Sequence, residues 1–218
     1  MRLIRLSPLL LWAALGCSGA DQGATTAEAW EPFAGALADT QRRNLTSEVN
    51  GRTYQISVAL PESYATSNET YPVLYAVDAN GEFGTVVEAS RLMHRKRNPE
   101  LSLVPELIIV GIGYPVGQVF PDLEFRGVDL CGRRSGQPDP TGQPAFLEFI
   151  RQDLIPLVEL EFRAKPEGRA LYGHSCGGIF AFYALLEGEG TFERVIAGSF
   201  TNVPDVFQME SAYAEGHD

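Results

Sequence analysis

Gly173-His174-Ser175-Cys176-Gly177 sets a serine two residues from a glycine on either side. A nucleophilic serine needs that spacing, because its hydroxyl must stand on a turn so sharp that side chains at the flanking positions would collide with the strand before it or the helix after it. The surroundings fit. Arg169-Ala170-Leu171-Tyr172 is a short strand-like run leading in, and Gly177-Gly178-Ile179-Phe180-Ala181-Phe182-Tyr183-Ala184-Leu185-Leu186 is a helix of small and apolar residues leading out. Arg194-Val195-Ile196-Ala197-Gly198 reads as the strand after that. The pattern is that of a nucleophile elbow, and the chemistry it points to is hydrolysis through an activated serine.

The elements that must hold this turn follow from hydrophobic periodicity. Residues 41–49 and 52–60 alternate apolar with polar on either side of Asn50-Gly51, a strong turn signal, and are expected to form two antiparallel strands. Residues 72–77 and 107–112 are continuous apolar runs of the kind found in strands buried on both faces, with a helix expected between them over residues 83–97. Residues 115–144 are rich in glycine, proline and charge, which predicts a long loop that shapes a binding site. A helix is expected over residues 145–162, where Phe146, Phe149, Ile150, Leu154, Leu157, Val158 and Phe162 share a helical spacing and Pro156 marks a kink or break. Strands alternating with helices predict an α/β fold with a mostly parallel sheet and helices on both faces. The strand, elbow, helix, strand order is that of the middle of an α/β-hydrolase sheet.

Arg2 and Arg5 precede an apolar stretch over residues 6–15 that is broken only by Ser7 and Pro8. This reads as a secretory signal, too short to span a membrane. Its end, Ala14-Leu15-Gly16-Cys17, resembles a bacterial lipobox with alanine where leucine is usual, so Cys17 is expected to become the lipid-modified first residue. Ser18 resembles the pattern sent to the outer membrane, and a plain signal peptide cut nearby is the alternative. The expected plan is a signal over residues 1–16, a small polar tether over 17–30 and one hydrolase domain over 31–218. It places the protein in the bacterial cell envelope, periplasm or outer membrane, or outside the cell if Cys17 carries no lipid.

Seventeen basic residues against 28 acidic ones give a formal net charge of −11, and removing residues 1–16 takes away two arginines and no acid, leaving −13. Such a chain repels polyanions. Its basic residues cluster only at Arg95-Lys96-Arg97 and Arg133-Arg134, too little for a phosphate-tracking stripe, so nucleic acid is not an expected partner. Three cysteines and three histidines fall in no zinc spacing, and no metal is expected. With Cys17 given to the lipid, Cys131 and Cys176 could pair in an oxidising compartment; Cys176 at the elbow is expected to pack inward, however, and both are expected as free thiols.

The stretches YPVLYAVDANGEF, ELIIVGIGYP, FRGVDL, FLEFIRQDLIPLVE, LYGHSCGGIFAFYALLEG and FERVIAGSF occur in this order over about residues 45–200. Together they resemble the esterase branch of the α/β-hydrolases that includes enterobactin and bacillibactin esterases and is related to esterase D. The resemblance implies that Ser175 attacks an ester carbonyl and is transiently acylated, with no metal or organic cofactor. It implies an oxyanion hole made by the backbone N–H of Cys176 and a second N–H from the turn after residues 73–77, where Asn80 is the choice and Ala79 the fallback. The family's glycine-rich form of that turn is altered here to Asp78-Ala79-Asn80-Gly81. Arg126, in FRGVDL, matches an arginine bordering the site in siderophore esterases, where it would hold an anionic catecholate or orient the substrate; a loop salt bridge to Asp129 or Glu124 is the alternative. The implied substrates are small-molecule esters, of a ferric siderophore or of a simpler acyl group.

In this fold the acid and the histidine follow the serine in that order. Forty-three residues follow Ser175, and they hold only His217, preceded by Asp205, Glu210 and Glu215. MESAYAEGHD resembles the family's helix before the acid-bearing strand, which makes His217 a surface residue. His174 points away from its neighbour on the tight turn, and His94 is expected at the far end of its helix. The hydrolase is therefore expected to be C-terminally incomplete, with the run at residues 194–198 as an edge strand. The competing reading is a truncated, inactive relative or a module that grips a ligand without hydrolysing it.

Overall fold

A computed structural model describes residues 37–94, 104–115, 123–134, 137–199 and 203–216. Cys17, the expected signal and tether, and His217 lie outside these residues. The hairpin forms as expected: β1 (Thr40–Thr46) pairs antiparallel with β2 (Thr53–Ala59), Thr46 facing Thr53. Asn50-Gly51 lies in the connection, but the turn spans residues 47–52 rather than two. Ser47 widens it. Its hydroxyl accepts the N–H groups of Val49 and Asn50 and donates to Asp153 Oδ2 at 2.8 Å, so a distant helix anchors the turn.

Next come β3 (Val73–Val77), α1 (Ala79–His94), β4 (Ile108–Gly113), α2 (Leu123–Cys131), β5 (Arg133–Arg134) and β6 (Gln137–Pro138). They are followed by α3 (Gly142–Phe149), a π-helical turn (Ile150–Leu154), α4 (Ile155–Glu161), β7 (Ala170–His174), α5 (Cys176–Glu187), β8 (Arg194–Gly198) and α6 (Val203–Gly216). The main sheet has the order β1-β2-β4-β3-β7-β8. β4, β3, β7 and β8 run parallel, while β2 joins β4 antiparallel.

The apolar runs are central strands because both of their faces are covered. Val73, Tyr75 and Val77 of β3 point into a large core with Phe146, Phe149, Leu154 and Phe180, and Leu74 and Ala76 point the other way, against Val86 and Val87 of α1. Burying side chains of this size contributes about 1.5–3 kcal/mol each, and a strand with no polar face has no stable place except between two layers.

One expectation is corrected here and another takes a specific form. Residues 115–144 are not simply a loop, since they contain α2 and the β5–β6 ribbon. Gly127 inside α2 costs a helix about 1 kcal/mol and hides it from a reading of propensity, but Val128 and Leu130 are fully buried and Gln143 Nε2 caps Leu130 O at 3.0 Å. At Pro156 the expected kink or break takes the form of a change of helix type: a π-helical turn, closed by the Ile155 N–H donating to Ile150 O, ends at Leu154, and Pro156 falls in the first turn of α4.

Candidate active site

Ser175 sits between β7 and α5 with φ 57° and ψ −120°, a left-handed conformation that costs a non-glycine residue about 1–3 kcal/mol. The strain is held in place from both sides. The Ser175 N–H donates to Gly198 O at 2.9 Å, and Ser175 O accepts the Ile179 N–H at 3.1 Å. The glycine spacing is a steric requirement: a Cβ on Gly173 would lie 1.9 Å from Gly177 O, and one on Gly177 would lie 2.8 Å from Val77 Cγ2.

β7 neighbours β3, and the turn after β3 also carries a non-glycine residue with positive φ. Asp78 has φ 57°, and its carbonyl accepts the N–H groups of Gly81 and Glu82, both at 3.0 Å, to start α1. The first N–H groups of α1 (Ala79, Asn80) and of α5 (Cys176) precede the first possible helical acceptor. Because β3 and β7 are adjacent and parallel, two helix N-termini with their partial positive charge flank Ser175, an arrangement that favours an anion between them. The Asn80 side chain is occupied elsewhere: Oδ1 accepts the Tyr114 N–H at 2.7 Å and Nδ2 donates to Tyr114 O at 2.9 Å, tying the turn to the end of β4.

Arg126 lies beside this turn and pairs with Asp78. Its Nε and Nη2 donate to the two carboxylate oxygens of Asp78 at 2.7 and 2.8 Å. That hydrogen bonding is the main reason its pKa is raised. Asp129 instead pairs with Arg52 and accepts from the Tyr54 and Tyr114 hydroxyls at 3.2 and 3.4 Å. Burial is the main force pushing the Asp129 pKa up, to about 6, against the opposing pull of Arg52. Burial, and then the Asp129 charge, raise both phenols, so they stay protonated as donors. Above this cluster Arg52, Thr53, Tyr54, Tyr114, Pro115 and Phe125 line a cleft of about 330 Å³, with the Arg52 guanidinium over the Phe125 ring.

The free-thiol expectation is overturned, because Cys131 and Cys176 form a disulfide with their Cα atoms 4.8 Å apart. Cys176 does pack against the core, but α2 ends beside the start of α5, and this brings Cys131 to it across 45 residues. The signal was present: once Cys17 is set aside, one pair of cysteines remains. Asp78 was missed as the partner of Arg126, and Arg52 as that of Asp129.

Two of the histidines lie among the described residues. His174 is half exposed, with Nδ1 3.8 Å from Glu82 Oε1. His94 ends α1, about 22 Å along the helix from Ala79, and lines a separate cavity of about 220 Å³ with Asp39, Glu62 and Glu106. Among the described residues, no side chain hydrogen-bonds the Ser175 hydroxyl.

Residues 47–212 match the family model described as "Putative esterase". The ferri-bacillibactin esterase BesA of Bacillus subtilis is 34% identical over 172 residues, covering 75% of this chain and 58% of that protein. The siderophore triacetylfusarinine C esterase of Aspergillus fumigatus is 34% identical over 154 residues, covering 68% of this chain and 51% of that protein. The chain thus spans between half and three fifths of the length of these relatives. Among solved structures, the BES protein from Bacillus cereus superposes with a TM-score of 0.71 at 27% identity, covering 88% of this chain and 73% of that one.

Proposed function

The chain belongs to this esterase family of the α/β-hydrolase superfamily, and from that premise we propose that Ser175 is the nucleophile of a carboxylic-ester hydrolase acting on siderophore esters. The observation that carries this reading is the strained Ser175 set between two adjacent helix N-termini. Ser175 Oγ attacks the ester carbonyl carbon and gives up its proton to a base. The carbonyl oxygen becomes an oxyanion, held by the N–H of Cys176 and that of Asn80 or Ala79. Collapse expels the alcohol and leaves an acyl-Ser175 ester that water then hydrolyses. On this reading, the base that takes the proton is not among the described residues.

The relatives named as siderophore esterases support that substrate class. The cleft at Tyr114 and Phe125 adjoins the Asn80 turn and is where the bulk of such an ester would rest. Arg126 acts in this reading through Asp78 rather than on the substrate directly. The envelope location is also part of the proposal: Arg2, Arg5 and the apolar stretch direct export, and lipid on Cys17 holds the protein at a membrane.

The test compares wild type with Ser175→Ala in hydrolysis of a catecholate triester and in covalent labelling by a fluorophosphonate. Loss of labelling, with a fall in kcat/KM of about 10³-fold or more, is expected for the variant. Hydrolysis that survives in Ser175→Ala overturns the assignment. So does a wild-type protein that binds a ferric triscatecholate yet neither hydrolyses it nor takes the label, which favours the ligand-binding reading.

A further inference from the structure

α2 touches both halves of the proposed oxyanion hole. At its C-terminal end Cys131 is bonded to Cys176, the residue whose N–H is one donor. One turn earlier Arg126 grips Asp78 through two hydrogen bonds, and Asp78 immediately precedes the N–H groups of Ala79 and Asn80 that supply the other. Between them Asp129 holds the same helix to Arg52 and Tyr54 of the hairpin. Asp78 and Ser175 both have positive φ without being glycine, so each turn stays in place only while its surroundings hold it.

We propose that α2 is a splint for the oxyanion hole, in which the Cys131–Cys176 disulfide and the Arg126–Asp78 pair fix the separation of the two donor turns, so that full esterase activity requires the oxidised protein. This rests on the reading of Ser175 given above. β3–β7 pairing sets the distance between the strands, but β3 pairs with β7 only through Tyr172, two residues short of the end of β7, so the donors beyond are positioned by what is bound to them. Cys131 is a positioning residue. It touches no reacting atom and acts through the backbone of Cys176.

The experiment uses the full-length protein, oxidised and then treated with dithiothreitol, beside Cys131→Ser. Dithiothreitol delivers two electrons and two protons to the sulfur–sulfur bond, leaving two thiols and its own cyclic disulfide, and thiol titration reports completion. Hydrogen exchange read by mass spectrometry is the measure that does not depend on activity: reduction should speed exchange at residues 78–82 and 175–179 by tenfold or more, while β3 and β4 keep their protection. In hydrolysis, kcat should fall about 10- to 100-fold with KM changed less than threefold, as for a misplaced oxyanion donor, and reoxidation should restore it. Cys131→Ser should show the reduced values with or without dithiothreitol. Unchanged exchange at both turns in the thiol-titrated, folded protein overturns the splint, and so does a kcat within twofold of the oxidised value. If the oxidised protein neither hydrolyses the ester nor takes the fluorophosphonate label, the reading of Ser175 fails, and hydrogen exchange alone decides whether α2 holds the turns.

Discussion

Replacing Gly173 by alanine should damage the elbow far more than the same change at Gly190, and the two sites separate steric from conformational cost. At Gly173 the new Cβ would lie 1.9 Å from the oxygen and 2.3 Å from the carbonyl carbon of Gly177. Carbon does not approach within about 3 Å of such atoms, so the first turn of α5 must retreat by more than 1 Å. Both obstacles are backbone, and no rotamer change relieves them. Overpacking where side chains can yield costs about 1–3 kcal/mol, so this site should lose about 3 kcal/mol or more. Gly190 has φ 76° with nothing within 4 Å of the added carbon. Alanine there meets only the left-handed penalty of about 1–2 kcal/mol, reduced by the about 0.4–1 kcal/mol gained from a stiffer unfolded chain. Urea unfolding followed by circular dichroism measures both variants. A gap of about 2 kcal/mol is expected, equivalent to roughly 4–8 °C in Tm for a domain of this size. Losses within 0.5 kcal/mol of each other would refute the steric account of the glycine spacing.

Two further outcomes are expected. The Asp129 pKa is raised to about 6 from an ordinary 3.8, so between those values the folded state holds a proton that the unfolded state has released. Its contribution to stability is therefore fully present below about pH 4 and is lost as pH rises through about 6. The unfolding free energy of wild type relative to Asp129→Asn should fall by about 2–3 kcal/mol between pH 4 and pH 7; a pH-independent difference contradicts the assignment. For the N-terminus, mass spectrometry of protein from membranes should find Cys17 as the first residue carrying several acyl chains, since one chain alone binds a membrane only reversibly. An unmodified terminus at another residue removes the anchor.

The elbow, the hairpin and the two buried strands were legible because each is written in spacing a few residues long: glycines two positions either side of Ser175, alternation around Asn50-Gly51, unbroken apolar residues in β3 and β4. Such patterns decide which face of an element needs cover. They do not decide what covers it. Cys131 meets Cys176 across 45 residues, Arg126 meets Asp78 across 48, and Arg52 meets Asp129 across 77. Each of these pairs depends on where α2 lies, and α2 was invisible because its Gly127 argues against a helix locally while its buried Val128 and Leu130 argue for one only after a core exists to receive them. The sequence by itself determined the glycine-flanked turn at Ser175 and the strands around it; the tertiary structure decided which side chains hold that turn's surroundings, because ion pairs and disulfides are set by proximity in space, and proximity follows from strand order and helix packing rather than from any local residue pattern.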